Sequence, residues 1–207
     1  MTAGVLGARV VAISDRHAMV PADVLARGDA AAIADAFGAA VARSRAAVVQ
    51  VRDKDVDGSL LLALARAALA AGARVIVNDR LDVALAAGAH GVHLPERGLA
   101  VADARALAPA GFVIGCSRHS ADAARAALAD GADYVQLGPI FDTPGKGPAL
   151  GVAALRELPA GRVVAVGGIV SPALAASAFA SGAAAVALIR AAWRSGFDPA
   201  AFAAGSP

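Results

Sequence analysis

The chain has 207 residues, of which 58% are hydrophobic and 17% charged, with a formal net charge of +2; the length suits one buried core and the composition excludes intrinsic disorder. Its Lys and Arg residues are scattered with no basic run, which argues against nucleic acid as a partner. The single cysteine, Cys116, excludes an intrachain disulfide and a cysteine-based zinc cluster, and it fits a reducing cytoplasm.

Met1 to Gly7 lacks the charged start and long apolar core of a secretory signal, so a cytoplasmic protein beginning near Met1 is expected. The first strand reads as Val10–Ile13. Ser14-Asp15-Arg16-His17 follows it in place of a GxGxxG, which disfavours an open dinucleotide-binding sheet. A helix is expected over Ala22–Val41, then strand Ala47–Val51, helix Ser59–Ala71, strand Arg74–Val77, helix Leu81–Ala87, strand Gly91–His93 and helix Val101–Leu107. The second half repeats the pattern with strand Phe112–Gly115, helix Ala121–Ala129, strand Tyr134–Leu137, helix Val152–Leu158, strand Val163–Val166, helix Pro172–Ala180, strand Ala184–Leu188 and helix Ala191–Ala203. Short β-branched runs alternating with alanine-rich helices are the signature of a parallel sheet with crossover helices. Eight such units in one chain predict a single α/β domain over residues 1–207, a compact (β/α)8 TIM barrel.

The uncharged run Val163–Ile189 is long enough for a membrane span. Gly167-Gly168, Ser171-Pro172 and Ser181-Gly182 punctuate it, however, so it reads as strand, helix and strand, and no membrane partner is expected. The phrases beginning Ala87-Gly88, Asp130-Gly131 and Ser181-Gly182 each end a helix with a left-handed glycine and enter a strand at once.

In such a barrel the chemistry sits just beyond the strands at one end. Gln50, Arg52 and Lys54 alternate, so on extended backbone they share a face; two cations there would suit a diphosphate, or else they lie on a solvated loop paired with Asp53 and Asp55. Asn78-Asp79 offers oxygen ligands for magnesium at a strand end, although Asp79 could equally cap the next helix. Gly167-Gly168 stands before Ser171-Pro172 in the seventh unit, where backbone N–H groups commonly bind phosphate. His119 is placed to act as a general acid or base, or to start a helix, and Cys116 reads as a small core residue.

Together these residues resemble the thiamine phosphate synthase and thiazole tautomerase superfamily from about Val11 to Ala192. The segment around Gln50-Val51-Arg52-Asp53-Lys54 is similar to the family's Q-x-R-x-K, and Asn78-Asp79-Arg80-Leu81-Asp82 to its N-D-R-x-D. Gly91-Val92-His93-Leu94, Gly115-Cys116-Ser117-Arg118-His119-Ser120, Gly138-Pro139-Ile140-Phe141-Asp142-Thr143 and Val166-Gly167-Gly168-Ile169 follow in family order. The resemblance implies joining of hydroxymethylpyrimidine diphosphate to thiazole phosphate, giving thiamine phosphate and diphosphate, with Mg2+ as cofactor. It implies that Gln50, Arg52, Lys54 and Asn78 bind the diphosphate substrate, that Thr143, Lys146, Gly167, Gly168 and Arg190 line the phosphate of the thiazole, and that Ser117 lies near the reacting centre. Asp79 would hold magnesium.

The chain departs from the family pattern after Leu94. Where the synthases carry G-Q-x-D, whose Asp is a second magnesium ligand, this chain has Pro95-Glu96-Arg97-Gly98, leaving Glu96 as the substitute from a neighbouring place. Gly145 replaces the second threonine of T-x-T-K, and a serine of the last phosphate segment is replaced near Arg190. The tautomerase branch, with His119 as its acid–base group and no diphosphate to release, is therefore an alternative, as is a non-catalytic paralogue that only binds a phosphorylated ligand. The expected partners are small phosphorylated molecules, and a homodimer is left open.

Overall fold

The computed structural model describes residues 6–204; the expected start near Met1 lies outside the described residues. Eight parallel strands close on themselves in chain order. They are β1 (Val10–Ile13), β2 (Val48–Val51), β3 (Arg74–Asn78), β4 (Gly91–Leu94), β5 (Val113–Arg118), β6 (Tyr134–Leu137), β7 (Val163–Val166) and β8 (Ala185–Leu188). Closure is made by β8 lying beside β1, with Val10 opposite Val186 and Ala12 opposite Leu188. Around them run α1 (Arg16–Met19), α2 (Ala22–Arg27), α3 (Ala30–Ser44), α4 (Gly58–Ala70), α5 (Leu81–Ala87), α6 (Val101–Leu107), α7 (Ala121–Ala129), α8 (Pro172–Ala180) and α9 (Pro199–Ala204). The expected (β/α)8 barrel is thus the observed fold.

Three helical expectations need correction. Ala22–Val41 is two helices: Gly28 ends α2 in the left-handed region, and the Asp29 side chain caps α3 by accepting from the N–H groups of Ala31 and Ala32. Val152–Glu157, in the crossover between β6 and β7, is a 3-10 helix, entered from Gly151 at φ +75° without a side-chain cap for its first turn. The stretch expected as Ala191–Ala203 is a 3-10 turn, Arg190–Trp193, followed by α9, because Gly196 at φ +77° interrupts it. The uncharged run is β7, α8 and β8 as expected, with the Ser171 hydroxyl accepting from Leu174 N–H and Pro172 in the first turn. Among the described residues no helix is long and apolar enough to cross a membrane.

Alternation along each strand divides the buried residues into two groups. Val10, Ala12, Val49, Val75 and Val77 face the helices, whose alanines allow close packing. Val11, Val48, Ile76, Val113, Tyr134 and Val164 fill the lumen at its amino end. Polar residues follow two positions further along the same strands: Gln50 beyond Val48, Asn78 beyond Ile76 and Gln136 beyond Tyr134, all buried. The apolar plug therefore forms the floor on which a polar layer stands, at the end where the strands finish.

Candidate active site

A cavity of about 220 Å³ opens above that polar layer. Its wall includes Gln50, Arg52, Lys54, Asn78, Glu96, Ser117, His119, Gln136 and Lys146, with Ile13, Val166 and Ile189 as apolar edges. A larger hollow, about 500 Å³, lies outside the barrel beside α1, α3 and Trp193; its only charged lining is Arg43 and Arg194.

The floor is a chain of amide hydrogen bonds. Gln136 Nε2 donates to Gln50 Oε1 at 2.6 Å, and Gln50 Nε2 donates to Asn78 Oδ1 at 3.2 Å. Each buried amide thereby satisfies its neighbour, and an unpaired one would cost about 1–3 kcal/mol. The Asn78 amide nitrogen is not used in this chain of bonds, and it faces the cavity.

Beyond β2 the backbone is held by residues that follow β1. The Ser14 hydroxyl accepts from Arg52 N–H at 2.7 Å and donates to Asp53 Oδ2 at 3.1 Å. Arg16 reaches Asp53 at 3.3 Å and Asp55 at 2.7 Å, its side chain and that of Asp53 nearly buried at 11% and 4% exposure. Burial holds the Asp53 carboxyl above its ordinary value, partly opposed by Ser14 and Arg16. Asp53 and Asp55 are therefore occupied by Arg16, and the expected alternative in which they pair with Arg52 and Lys54 does not hold. Among the described residues neither cation has a carboxylate within 4.0 Å. Gln50, Arg52 and Lys54 share the cavity wall, as their alternation requires.

Asp79 follows β3 at φ +68°, in the left-handed region that non-glycine residues enter at a cost. Its N–H donates to the His93 carbonyl at 2.8 Å. Its carboxylate is exposed and makes no hydrogen bond among the described residues, and it does not cap α5, whose N-cap residue is Arg80, paired with Asp82. A Cβ placed on Gly98 would stand 3.1 Å from Asp79 Oδ1 and 2.8 Å from the Pro95 ring. The position that lacks an acid is thus the one beside Asp79, and Pro95 fills the space its side chain would need.

Glu96 stands at the mouth with its Oε2 3.9 Å from His119 Nε2. His119 Nδ1 contacts the Gly138 carbonyl, which can only accept, so Nδ1 carries the proton and Nε2 is the nitrogen that faces Glu96. Ser120 caps α7, so His119 is not the helix-start residue. Among the described residues no group of three or more His, Cys, Asp or Glu side chains is placed to enclose a metal.

Lys146 reaches the cavity from the segment after β6, and Thr143 lies beside it over a shallower hollow. Gly167 and Gly168 adopt φ +95° and +70°, and Cβ atoms on them would come within 2.7 Å of Pro139 and 2.6 Å of Phe141. The glycines let the segment after β6 lie across the end of β7. They sit beneath Thr143 and not on the main wall, and Arg190 is exposed next to the wall residue Ile189. Arg52, Asp79 and Gly168 all lie at the carboxyl ends of parallel strands, hence at one end of the barrel.

A family model described as thiamine monophosphate synthase matches residues 22–192. The chain belongs to the thiamine monophosphate synthase family. A thiamine-phosphate synthase of Methanoculleus marisnigri is 50% identical over 154 residues, covering 70% of this chain and 72% of that protein. One from Anaeromyxobacter dehalogenans is 47% identical over 167 residues, covering 73% and 74%. Among solved structures, a thiamine phosphate pyrophosphorylase from Pyrococcus furiosus superposes with a TM-score of 0.75 at 27% identity, over 97% of this chain and 94% of that one.

Several residues in and around this cavity of the thiamine monophosphate synthase family member carry no motif that announces them. Gln136 and the Ser14–Arg16–Asp53 brace depend on strands meeting, and sequence spacing alone does not reveal which ones meet. Ser117 and Arg118 belong to β5 and not to the following loop, since that strand runs three residues past Gly115. His93 was legible only as part of Gly91-Val92-His93-Leu94; its side chain points into the lumen, where Nε2 lies 2.8 Å from Ser117 Oγ.

Proposed function

We propose that this protein is a thiamine phosphate synthase, a transferase that joins hydroxymethylpyrimidine diphosphate to thiazole phosphate and releases diphosphate. The observation that carries the reading is that Arg52 and Lys54 share one cavity wall with no carboxylate partner among the described residues, in a chain of this family. Two such cations favour a polyanionic guest, which neutralises both through charge-assisted hydrogen bonds. Gln50, Arg52, Lys54 and Asn78 bind the diphosphate substrate. Lys146, with Thr143, Gly167, Gly168 and Arg190, takes the phosphate of the thiazole from the other side.

In this reaction the bond between the pyrimidine methylene carbon and the diphosphate oxygen breaks with its electron pair on oxygen. The lone pair of the thiazole nitrogen then forms the new C–N bond. Arg52 and Lys54 act mainly on the first step, because the charge they face grows as the C–O bond lengthens. The cavity holds the two reactants together and Ser117 meets the reacting region from β5.

The residues fit magnesium of the kind completed by substrate oxygens: Asp79 offers a free carboxylate, and a magnesium site needs only one or two of these beside phosphate. Asp79 would hold the ion, with Glu96 as the nearest replacement for the missing second acid, and the ion when bound would neutralise part of the diphosphate charge. We place the reaction in the cytoplasm, with residues 1–207 acting as one domain on small phosphorylated substrates.

The test is diphosphate release with both substrates, with and without magnesium; release that needs all three supports the reading, and none under any condition ends it. The facing pair His119 and Glu96 favours a second reading, proton transfer in a thiazole tautomerase. That activity would proceed without magnesium and be lost in His119→Ala.

A further inference from the structure

His93 is fully buried on β4 between two hydroxyls: its Nδ1 lies 3.0 Å from Tyr134 Oη and its Nε2 2.8 Å from Ser117 Oγ. The ring is fully buried and both of its hydrogen-bond partners are neutral hydroxyls, with no carboxylate beside the ring among the described residues, so it is neutral and carries a single proton. Two arrangements satisfy both contacts. In one, Tyr134 O–H donates to Nδ1 and Nε2–H donates to Ser117. In the other, Ser117 O–H donates to Nε2 and Nδ1–H donates to Tyr134.

The hydroxyl protons decide between them. Tyr134 is buried, and among the described residues His93 is the only hydrogen-bond partner of its hydroxyl. The second arrangement would leave the Tyr134 proton buried and unpaired, a penalty the first avoids. In the first, the proton left over belongs to Ser117, whose side chain lines the cavity and can meet a ligand. Gly115 fixes the place of the phenol, since a Cβ there would fall 2.1 Å from the Tyr134 ring, so only glycine lets the ring cross β5 beside His93.

We propose that Tyr134 and His93 are positioning residues that form a one-way hydrogen-bond chain, Tyr134 to His93 to Ser117, and so fix the Ser117 hydroxyl as a donor toward an acceptor atom of the bound substrate. This rests on the synthase reading for the identity of the substrate, though not for the direction of the chain. A donor aimed at an oxygen that gains charge as its bond to carbon breaks strengthens in the transition state, so its effect falls on kcat and not on KM.

Two measurements test it. In protein carrying ¹⁵N-labelled histidine, long-range ¹H–¹⁵N correlation reads the tautomer of His93, assigned by its loss in His93→Asn. The expected result is protonation at Nε2; protonation at Nδ1 overturns the proposal whatever the enzyme's activity. In the diphosphate-release assay Tyr134→Phe should lower kcat about tenfold with KM within about twofold, the size of one lost hydrogen bond. Tyr134→Phe combined with Ser117→Ala should lose no more than Ser117→Ala alone, because the chain acts only through that hydroxyl. Additive losses, or a native kcat in Tyr134→Phe, refute the chain. Absence of diphosphate release from the native protein would instead refute the synthase reading, and the tautomer would still decide the direction.

Discussion

The two sides of the cavity are held in different ways. On the side of β1 and β2, the backbone bearing Arg52 is fastened by Ser14, and Asp53 is gripped by Ser14 and Arg16, side chains from separate parts of the chain that are nearly buried. On the side of β6 and β7, Lys146 is exposed on a segment held mostly by its own backbone, with Lys146 N–H on the Thr143 carbonyl at 3.1 Å and the Thr143 hydroxyl on the Phe141 carbonyl at 2.9 Å. A cation whose neighbours are fixed before the ligand arrives loses little freedom on binding, whereas one on an exposed segment must be ordered by the ligand. Under the proposed assignment of substrates, the contrast teaches that the arrangement facing the leaving group is built in advance, and the arrangement facing the second phosphate is completed on binding.

Arg52→Ala should break the built side with the largest effect. A donor that meets developing charge is worth about 2.7–4 kcal/mol, so kcat/KM for diphosphate release should fall about 10²–10³-fold. Thermal stability should hardly change, because Arg52 has no carboxylate partner to abandon among the described residues; a large drop in Tm with a small drop in rate would assign it to structure. Asp53→Ala comes next. Asp53 is not on the cavity wall, yet releasing the segment it anchors should cost about 10–100-fold in kcat/KM, since misplacement by roughly an ångström has that scale. An unaffected rate would mean that Ser14 alone holds Arg52.

Lys146→Ala sharpens the comparison from the other side. A charge-assisted hydrogen bond contributes about 1.5–3 kcal/mol, so KM for thiazole phosphate should rise by at least about tenfold, with KM for the diphosphate substrate and Tm unchanged. A parallel rise in both KM values would show the two sides to be one site for one anion. Removal of magnesium by a chelator should act on the opposite substrate, weakening the diphosphate side alone.

The same contrast explains what could be read from the sequence. All eight strands were legible because each is a short apolar run buried on both faces, and their count fixed the barrel. Gly28-Asp29 did carry the signal for splitting the first long helix, a left-handed glycine followed by a capping acid, which the alanine-rich flanks obscured. Alternation placed Gln50, Arg52 and Lys54 on one face, a property of a single strand. Pairing of Asp53 with Arg52 or Lys54 stayed open as an alternative because they adjoin it in sequence, while alternation turns them away and brings Arg16 of another unit within reach. His93 and Tyr134 required knowing that β4, β5 and β6 are successive neighbours with those faces inward, a fact of closure that no single segment contains.

The smallest effect tests the built side through its electrostatics. Burial raises the Asp53 carboxyl above 3.8, so the folded protein holds this proton more tightly than the unfolded chain does. The contribution of Asp53 to stability is then fully present below 3.8 and is lost as pH rises through its raised value. Asp82 has the opposite sign: its bond from Arg80 keeps it below 3.8, and its contribution is lost as pH falls through that lowered value. In Asp53→Asn the first component is gone and the second remains. The unfolding free energy of the variant, measured in denaturant, should therefore improve relative to the native protein as pH rises from 3.8 toward neutrality, on top of any constant difference from the altered bond to Arg16. A relative decline across that window would mean that the Arg16 ion pair, and not burial, sets the proton affinity of Asp53, and that the brace is strengthened by its charge.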